Sequence, residues 1–154
     1  MSGFVPVEVS CPSELLCVSV NDTGGVVIGR AEQLSSVHLE ALLRSAGQSP
    51  ARPTAKALAR LGSYSESFTP PLEGSLTIRW LAHPAGKPHA KQHSLAIGAY
   101  VFHSVAARNV VLRLTSFGRK LLRHHRAVTV TEQITYTPLE GSPVTATAKF
   151  RLRG

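Results

Sequence analysis

The chain has 154 residues, 43% of them hydrophobic, which suits one substantial core and argues against a disordered protein. No run approaches the roughly 18 apolar residues a spanning helix needs, so no membrane span is expected. Lys and Arg number 17 against 9 Asp and Glu, a formal charge of +8, and no acid at all occurs from Gly74 to Thr131. That span holds nine of the cations and six of the seven histidines, an asymmetry that favours a polyanionic partner or surface.

In chain order, Met1 to Val20 lacks a charged start followed by an apolar core, so no signal peptide is visible. If the protein is exported, its signal lies upstream of this chain or has been removed. Val5–Val9, Leu16–Val20 and Val26–Ile28 read as short strands. The run Asn21-Asp22-Thr23-Gly24-Gly25 supplies a tight turn, since Asn and Gly tolerate positive φ. Cys11 and Cys17 are the only cysteines. No histidine or second cysteine pair lies near them to complete a zinc site. They are expected to close a short disulfide loop, worth roughly 2 kcal/mol in the chain-entropy model. That implies an oxidising compartment; the alternative is two buried free thiols.

The run SCPSELLCVSVNDTGGVV, Ser10 to Val27, resembles one repeat of a propeller-type module common in exported bacterial proteins. A single blade cannot bury its own face, so residues 1–31 are expected to be a β-hairpin appendage or the last blade of a propeller.

Residues 32–62 read as a helical linker. Ser35 or Ser36 can cap a helix carrying Leu39, Leu42, Leu43 and Ala46, with Gly47 as its stop. Thr54 can cap a second, with Leu58 and Leu61 buried and Gly62 ending it. Arg44, Arg52, Lys56 and Arg60 fall on the wet face of this patch.

From Ser63 the period switches to two. Tyr64–Phe68 is one strand. Gly74 opens another, with Leu76, Ile78 and Trp80 on one face and Thr77, Arg79 and Leu81 on the other. Trp80, the only tryptophan, reads as a core anchor. His83 to His93 is a polar loop with two prolines and a glycine. Leu95–Phe102 is a third strand, where Gly98 marks a bulge or a close backbone approach.

Val110, Leu112 and Leu114 alternate with Val111, Arg113 and Thr115 in a fourth strand. Thr115 or Ser116 then caps a short helix with Phe117, Leu121 and Leu122 on its apolar side. Around and beyond that side lie Arg119, Lys120, Arg123, His124, His125 and Arg126, cations suited to a helix C-terminus. They form the candidate anion-binding set. A strand rich in Val and Thr follows and stops at Pro138. Glu132 falls on its inward parity with Val128, Val130, Ile134 and Tyr136, so a bulge or a sheet edge is expected there. In the last strand Val144, Ala146, Ala148, Phe150 and Leu152 face inward.

Six strands with turn signals about every dozen residues predict a mainly β protein: an antiparallel immunoglobulin-like sandwich over residues 63–154. Two short helices precede it and one lies between strands. Leu61–Ser65, Phe68, Gly74–Trp80, Gly98, Phe102, Leu112, Leu114-Thr115, Gly118–Leu122, Tyr136–Pro138 and Phe150–Leu152 fall in an order that resembles a known domain. It is a recurrent C-terminal sandwich domain of exported, largely uncharacterised proteins from high-GC Gram-positive bacteria. In that family the Leu-Thr-x-x-Gly-Arg-x-Leu-Leu element joins two strands. The resemblance covers about residues 34 to 153. It implies a secreted or cell-surface, non-enzymatic module and assigns no catalytic or ligand residues.

Asp22 is the only aspartate, and the basic half holds no acid before Glu132. That argues against chemistry needing convergent carboxylates. No nucleophile elbow, phosphate loop or dinucleotide fingerprint occurs. His83, His89 and His93 are a weak candidate metal set, set against a wet basic loop whose Pro and Gly fix no geometry. No cofactor is expected. The leading expectation is a structural or adhesive surface module whose basic element touches an anionic cell-wall polymer or glycan. The alternative is an intracellular basic protein associated with nucleic acid, although exposed aromatics for single-strand stacking are few.

Overall fold

The computed structural model describes the backbone of residues 6–13, 16–21, 26–30, 36–46, 52–87, 89–124 and 127–154, with side chains described from residue 36 onward. Two compact units divide the chain, Met1–Ser35 and Ser36–Gly154.

In the first unit, β1 (Pro6–Ser13), β2 (Leu16–Asn21) and β3 (Val26–Arg30) form an antiparallel sheet in chain order. The three short strands expected from the alternation are present. Cys11 lies within β1, which runs further than the expected Val5–Val9, and Cys17 lies within β2. No disulfide is found among the described residues, and the side chains of both cysteines lie outside them.

The second unit begins with α1 (Ser36–Ala46) and α2 (Ala55–Leu61). On α1, Leu39 and Leu43 sit one turn apart and are both buried, whereas Leu42 is exposed. Before α2, Thr54 stays extended and its Oγ1 accepts from the Ala57 amide at 3.1 Å. Gly62 ends the helix at φ 72°, a left-handed conformation that costs glycine little. Leu58 is buried as expected, but Leu61 is 65% exposed. Each three-residue step from Ala55 to Leu58 to Leu61 falls about 60° short of a full turn, and Leu61 has rotated off the apolar face.

Six strands follow: β4 (Ser63–Phe68), β5 (Gly74–Ala82), β6 (His93–Phe102), β7 (Arg108–Leu114), β8 (Val128–Pro138) and β9 (Val144–Leu152), with α3 (Ser116–His124) between β7 and β8. All neighbours are antiparallel, in the order β4-β7-β6-β5-β8-β9. The molecule is therefore mainly β, as the alternation predicts. The strands form one curled sheet, a half-barrel, in which β6 and β7 share only the rungs Ala96↔Leu114 and Ile97↔Arg113. The curl brings β4 against strands it does not pair with. Tyr64 meets Trp80 at 5.6 Å between ring centroids, and Phe68 meets Phe102 at 5.6 Å and Tyr136 at 6.2 Å. These tilted pairs fill the concave side, and Tyr136 also donates its hydroxyl to the Leu72 carbonyl.

In β5, β7, β8 and β9 the burial follows the expected parity. Leu76, Ile78, Trp80, Val110, Leu112, Val130, Ile134 and Leu152 are inside. Gly98 is a point of close approach, since a Cβ there would lie 2.9 Å from the Val111 carbonyl oxygen. The bulge falls nearby rather than at Gly98. Register slips between Trp80↔Ala96 and Leu81↔Ser94, which leaves Leu95 as the extra residue. Both Leu95 and Ala96 are buried.

Candidate anion-binding surface and a buried carboxylate pair

The bulge at Leu95 seats α3. Thr115 Oγ1 donates to the Ser94 carbonyl at 2.6 Å and accepts from the Gly118 amide at 3.0 Å, capping the helix. The Thr115 amide donates to the Leu95 carbonyl at 3.0 Å. Gly118 lies so near that carbonyl that a Cβ would overlap it. With Gly118, Leu121 and Leu122 buried and Phe117 packed against the core, the opposite face of α3 is left to solvent. It carries Arg119, Lys120, Arg123 and His124, all exposed and none ion-paired among the described residues. His125 and Arg126, the other members of the candidate set, lie outside the described residues. Arg123 and His124 stand in the last turn, where a cation suits the helix dipole.

The histidine loop meets this helix across a shallow cleft of roughly 300 Å³, lined by His83 to Lys87, Leu121 and Ala127 to Thr129. The loop is bonded internally. His83 Nδ1 faces the Ala90 carbonyl at 2.7 Å, so that nitrogen carries the proton, and Nε2 then accepts from the Gln92 amide at 3.3 Å. Gln92 also donates to Thr131 Oγ1 on β8 at 3.1 Å. With both His83 nitrogens engaged, no lone pair is left for a metal in this arrangement. His93 packs its ring on Phe117 at 5.1 Å, and His89 is exposed. Among the described residues, no group of three His, Cys, Asp or Glu is gathered as a metal site would require. The structure does not bring His83, His89 and His93 together.

A second charged constellation, unforeseen from the sequence, sits inside the sheet. Glu132 is 0% exposed, and its strand keeps continuous register through it on both sides. Neither the bulge nor the sheet edge expected there exists. The inward carboxylate is instead satisfied by partners. Trp80 Nε1–H donates to Oε1 at 2.7 Å, while Arg52 donates to Oε2 at 2.8 Å and to Oε1 at 3.4 Å. Arg52 is not on a wet face; its side chain is 14% exposed, with the guanidinium 3.6 Å from the centre of the Phe150 ring.

Glu66, on β4, is the second inward carboxylate, 8% exposed, and its Oε2 has no hydrogen-bond partner among the described residues. Burial, reinforced by the charge of Glu132 and opposed by Arg52, pushes its carboxyl up to about 7. β4 is an edge strand, and an inward charge is one way such an edge resists pairing with another chain. The pair lines neither the cleft beside α3 nor a second one over Val37 to Ser45 on α1. The parity of Glu66 and Glu132 was the sequence signal for this site; the involvement of Arg52, 80 positions from Glu132, left none.

Comparison of the chain with protein-family models, with curated proteins and with solved structures found no match.

Proposed function

We propose that the protein is a non-catalytic module, secreted or held at the cell surface, that binds an anionic wall polymer or glycan through the basic face of α3. The observation carrying this reading is the division of labour on that helix. One side is fixed in the core by Gly118, Leu121 and Leu122, and the other presents Arg119, Lys120, Arg123 and His124, with no acid on the helix and no ion pair to them among the described residues. Cations fixed on a rigid element lose little freedom when they meet a polyanion. The acid-free span from Gly74 to Thr131 keeps the surrounding potential positive.

The resemblance to a C-terminal domain of exported proteins, and the disulfide expected between Cys11 and Cys17, support the extracellular side of the reading. A two-layer sandwich is the finer description of the fold. In it the β4–β7 ribbon packs on β6-β5-β8-β9, which is consistent with the two-rung join of β6 to β7 and the ring contacts from β4 to β5 and β8.

Retention on immobilised heparin and on duplex DNA, eluted with salt, tests the proposal. Neutralising Arg119, Lys120, Arg123 and Arg126 together should lower the eluting salt on heparin; unchanged elution removes the basic face from the account. Stronger retention on DNA than on heparin, together with two free thiols in natively sourced protein, would favour the intracellular nucleic-acid reading instead.

A further inference from the structure

We propose that Arg52, Glu66 and Glu132 form a proton-operated clasp, in which a protonated Glu66 lets the segment from Arg52 through α2 lie closed on the sheet and an ionised Glu66 loosens it. Three observations place the parts. Arg52 reaches from the turn before α2 to grip Glu132 with both terminal nitrogens, and the Ala55 amide donates to the Arg153 carbonyl at 2.6 Å, so the segment is tied to β8 and to the end of β9. Glu66 enters the same space from β4. Its neighbours on that face, Tyr64 and Phe68, touch Trp80 and Tyr136; Trp80 is the cross-strand partner of Glu132, and Tyr136 stands two inward positions further along β8. Among the described residues the Glu66 Oε2 lacks a partner, while the Arg52 guanidinium, whose charge acts on it, is already engaged by Glu132 and stacked on Phe150.

One guanidinium thus faces two carboxyls in a space that water scarcely reaches. β5 contributes Trp80 and β9 contributes Phe150; β7 sends only Val110, Leu112 and Leu114 inward; Lys56 and Arg60 of α2 are exposed. Among the described residues, Arg52 and Glu132 are therefore the charged groups acting on Glu66, with the Tyr64 phenol next on the same face of its own strand. Opening the segment removes the attraction of Arg52 but admits water. Burial is the larger of the two influences on Glu66, so the open form favours the ionised carboxylate. The sign follows: the closed form holds the Glu66 proton more tightly than the open form does. Closure is firmest near and below the ordinary carboxylate range and weakens as pH rises toward about 7.

Backbone hydrogen exchange of the full chain between pH 5 and 8, corrected for intrinsic rates, tests the clasp. In the native protein the opening constant for amides in 54–61 should rise by up to about tenfold per pH unit as Glu66 ionises, then level off. Amides of β8 should not follow. In Glu66→Gln, which keeps the shape without the charge, the rise should vanish. An equal slope in Glu66→Gln, or loss of protection in β8 in step with 54–61, overturns the proposal. A carboxyl-carbon titration of Glu66 in the native protein, followed by NMR, gives a check that needs no variant. A midpoint near neutrality supports the clasp, and one near 4.5 overturns it.

Discussion

Arg52 and Arg123 are the same residue in opposite circumstances. Arg52 is largely covered, bonded to Glu132 and stacked on Phe150; Arg123 stands in water at the end of α3, unpaired among the described residues. The difference teaches where charge matters for stability and where it matters for association. A buried ion pair adds little net stability over an apolar substitute, yet removing one partner strands the other in a medium that cannot solvate it. An exposed cation is nearly neutral for folding, but it is available to a polyanion and to the salt that competes with one.

Removing Arg52 gives the largest effect expected on the buried side. Arg52→Ala should cost about 3–5 kcal/mol in urea unfolding, because Glu132 stays buried and Trp80 alone remains to satisfy it. Arg52→Met combined with Glu132→Gln should lose less than that, since the uncompensated charge is gone and Trp80 keeps an acceptor. A loss under about 1 kcal/mol for Arg52→Ala would show the pair to be effectively solvated.

Gly118→Ala comes next, at about 2–3 kcal/mol, since its Cβ must displace either α3 or the Leu95 carbonyl. It removes no cation, so weaker heparin retention in this variant would show that the helix must be seated for its cations to bind. Capping follows. Thr54→Ala and Thr115→Ala should each cost about 1 kcal/mol, measured by thermal unfolding. Thr115 should prove the costlier, because its hydroxyl also donates to Ser94. The smallest stability effects belong to the solvent face of α3, where Arg119→Gln, Lys120→Gln and Arg123→Gln should each stay within about 0.5 kcal/mol of the parent. Each should still flatten the salt dependence of polyanion binding by roughly one counterion. A large stability loss there would erase the contrast between the two regions.

Much of the second unit was legible from local pattern. The parity of Val110, Leu112 and Leu114, the caps at Thr54 and Thr115, the stop at Gly62 and the anchoring role of Trp80 all follow from rules that reach only a few residues along the chain. Those rules failed where the partner was remote. Glu132 had inward parity among Val130 and Ile134, and a local remedy, a bulge or an edge, was the natural expectation. The remedy came from Arg52, whose place between two prolines resembles a solvated turn until the sheet curls beneath it. Glu66 was harder to read: it shares the parity of Tyr64 and Phe68, but an acid on a short strand is taken as solvent-facing until β5 and β8 are known to lie opposite. Leu61 went astray through helical phase, since two three-residue steps from Ala55 carry it about 120° off the buried face.

The amino-acid order by itself determined the mainly β character, the strand parities, the helix caps and the concentration of positive charge around α3, because each depends on neighbours in the chain or on simple counting. Only the tertiary structure decided the strand order β4-β7-β6-β5-β8-β9, the seating of α3 on the Leu95 bulge, and the meeting of Arg52 with Glu132 inside the sheet. Those depend on which segments share a low-dielectric interior. Burial is what makes one guanidinium indispensable there while its exposed counterparts on α3 remain dispensable to the fold.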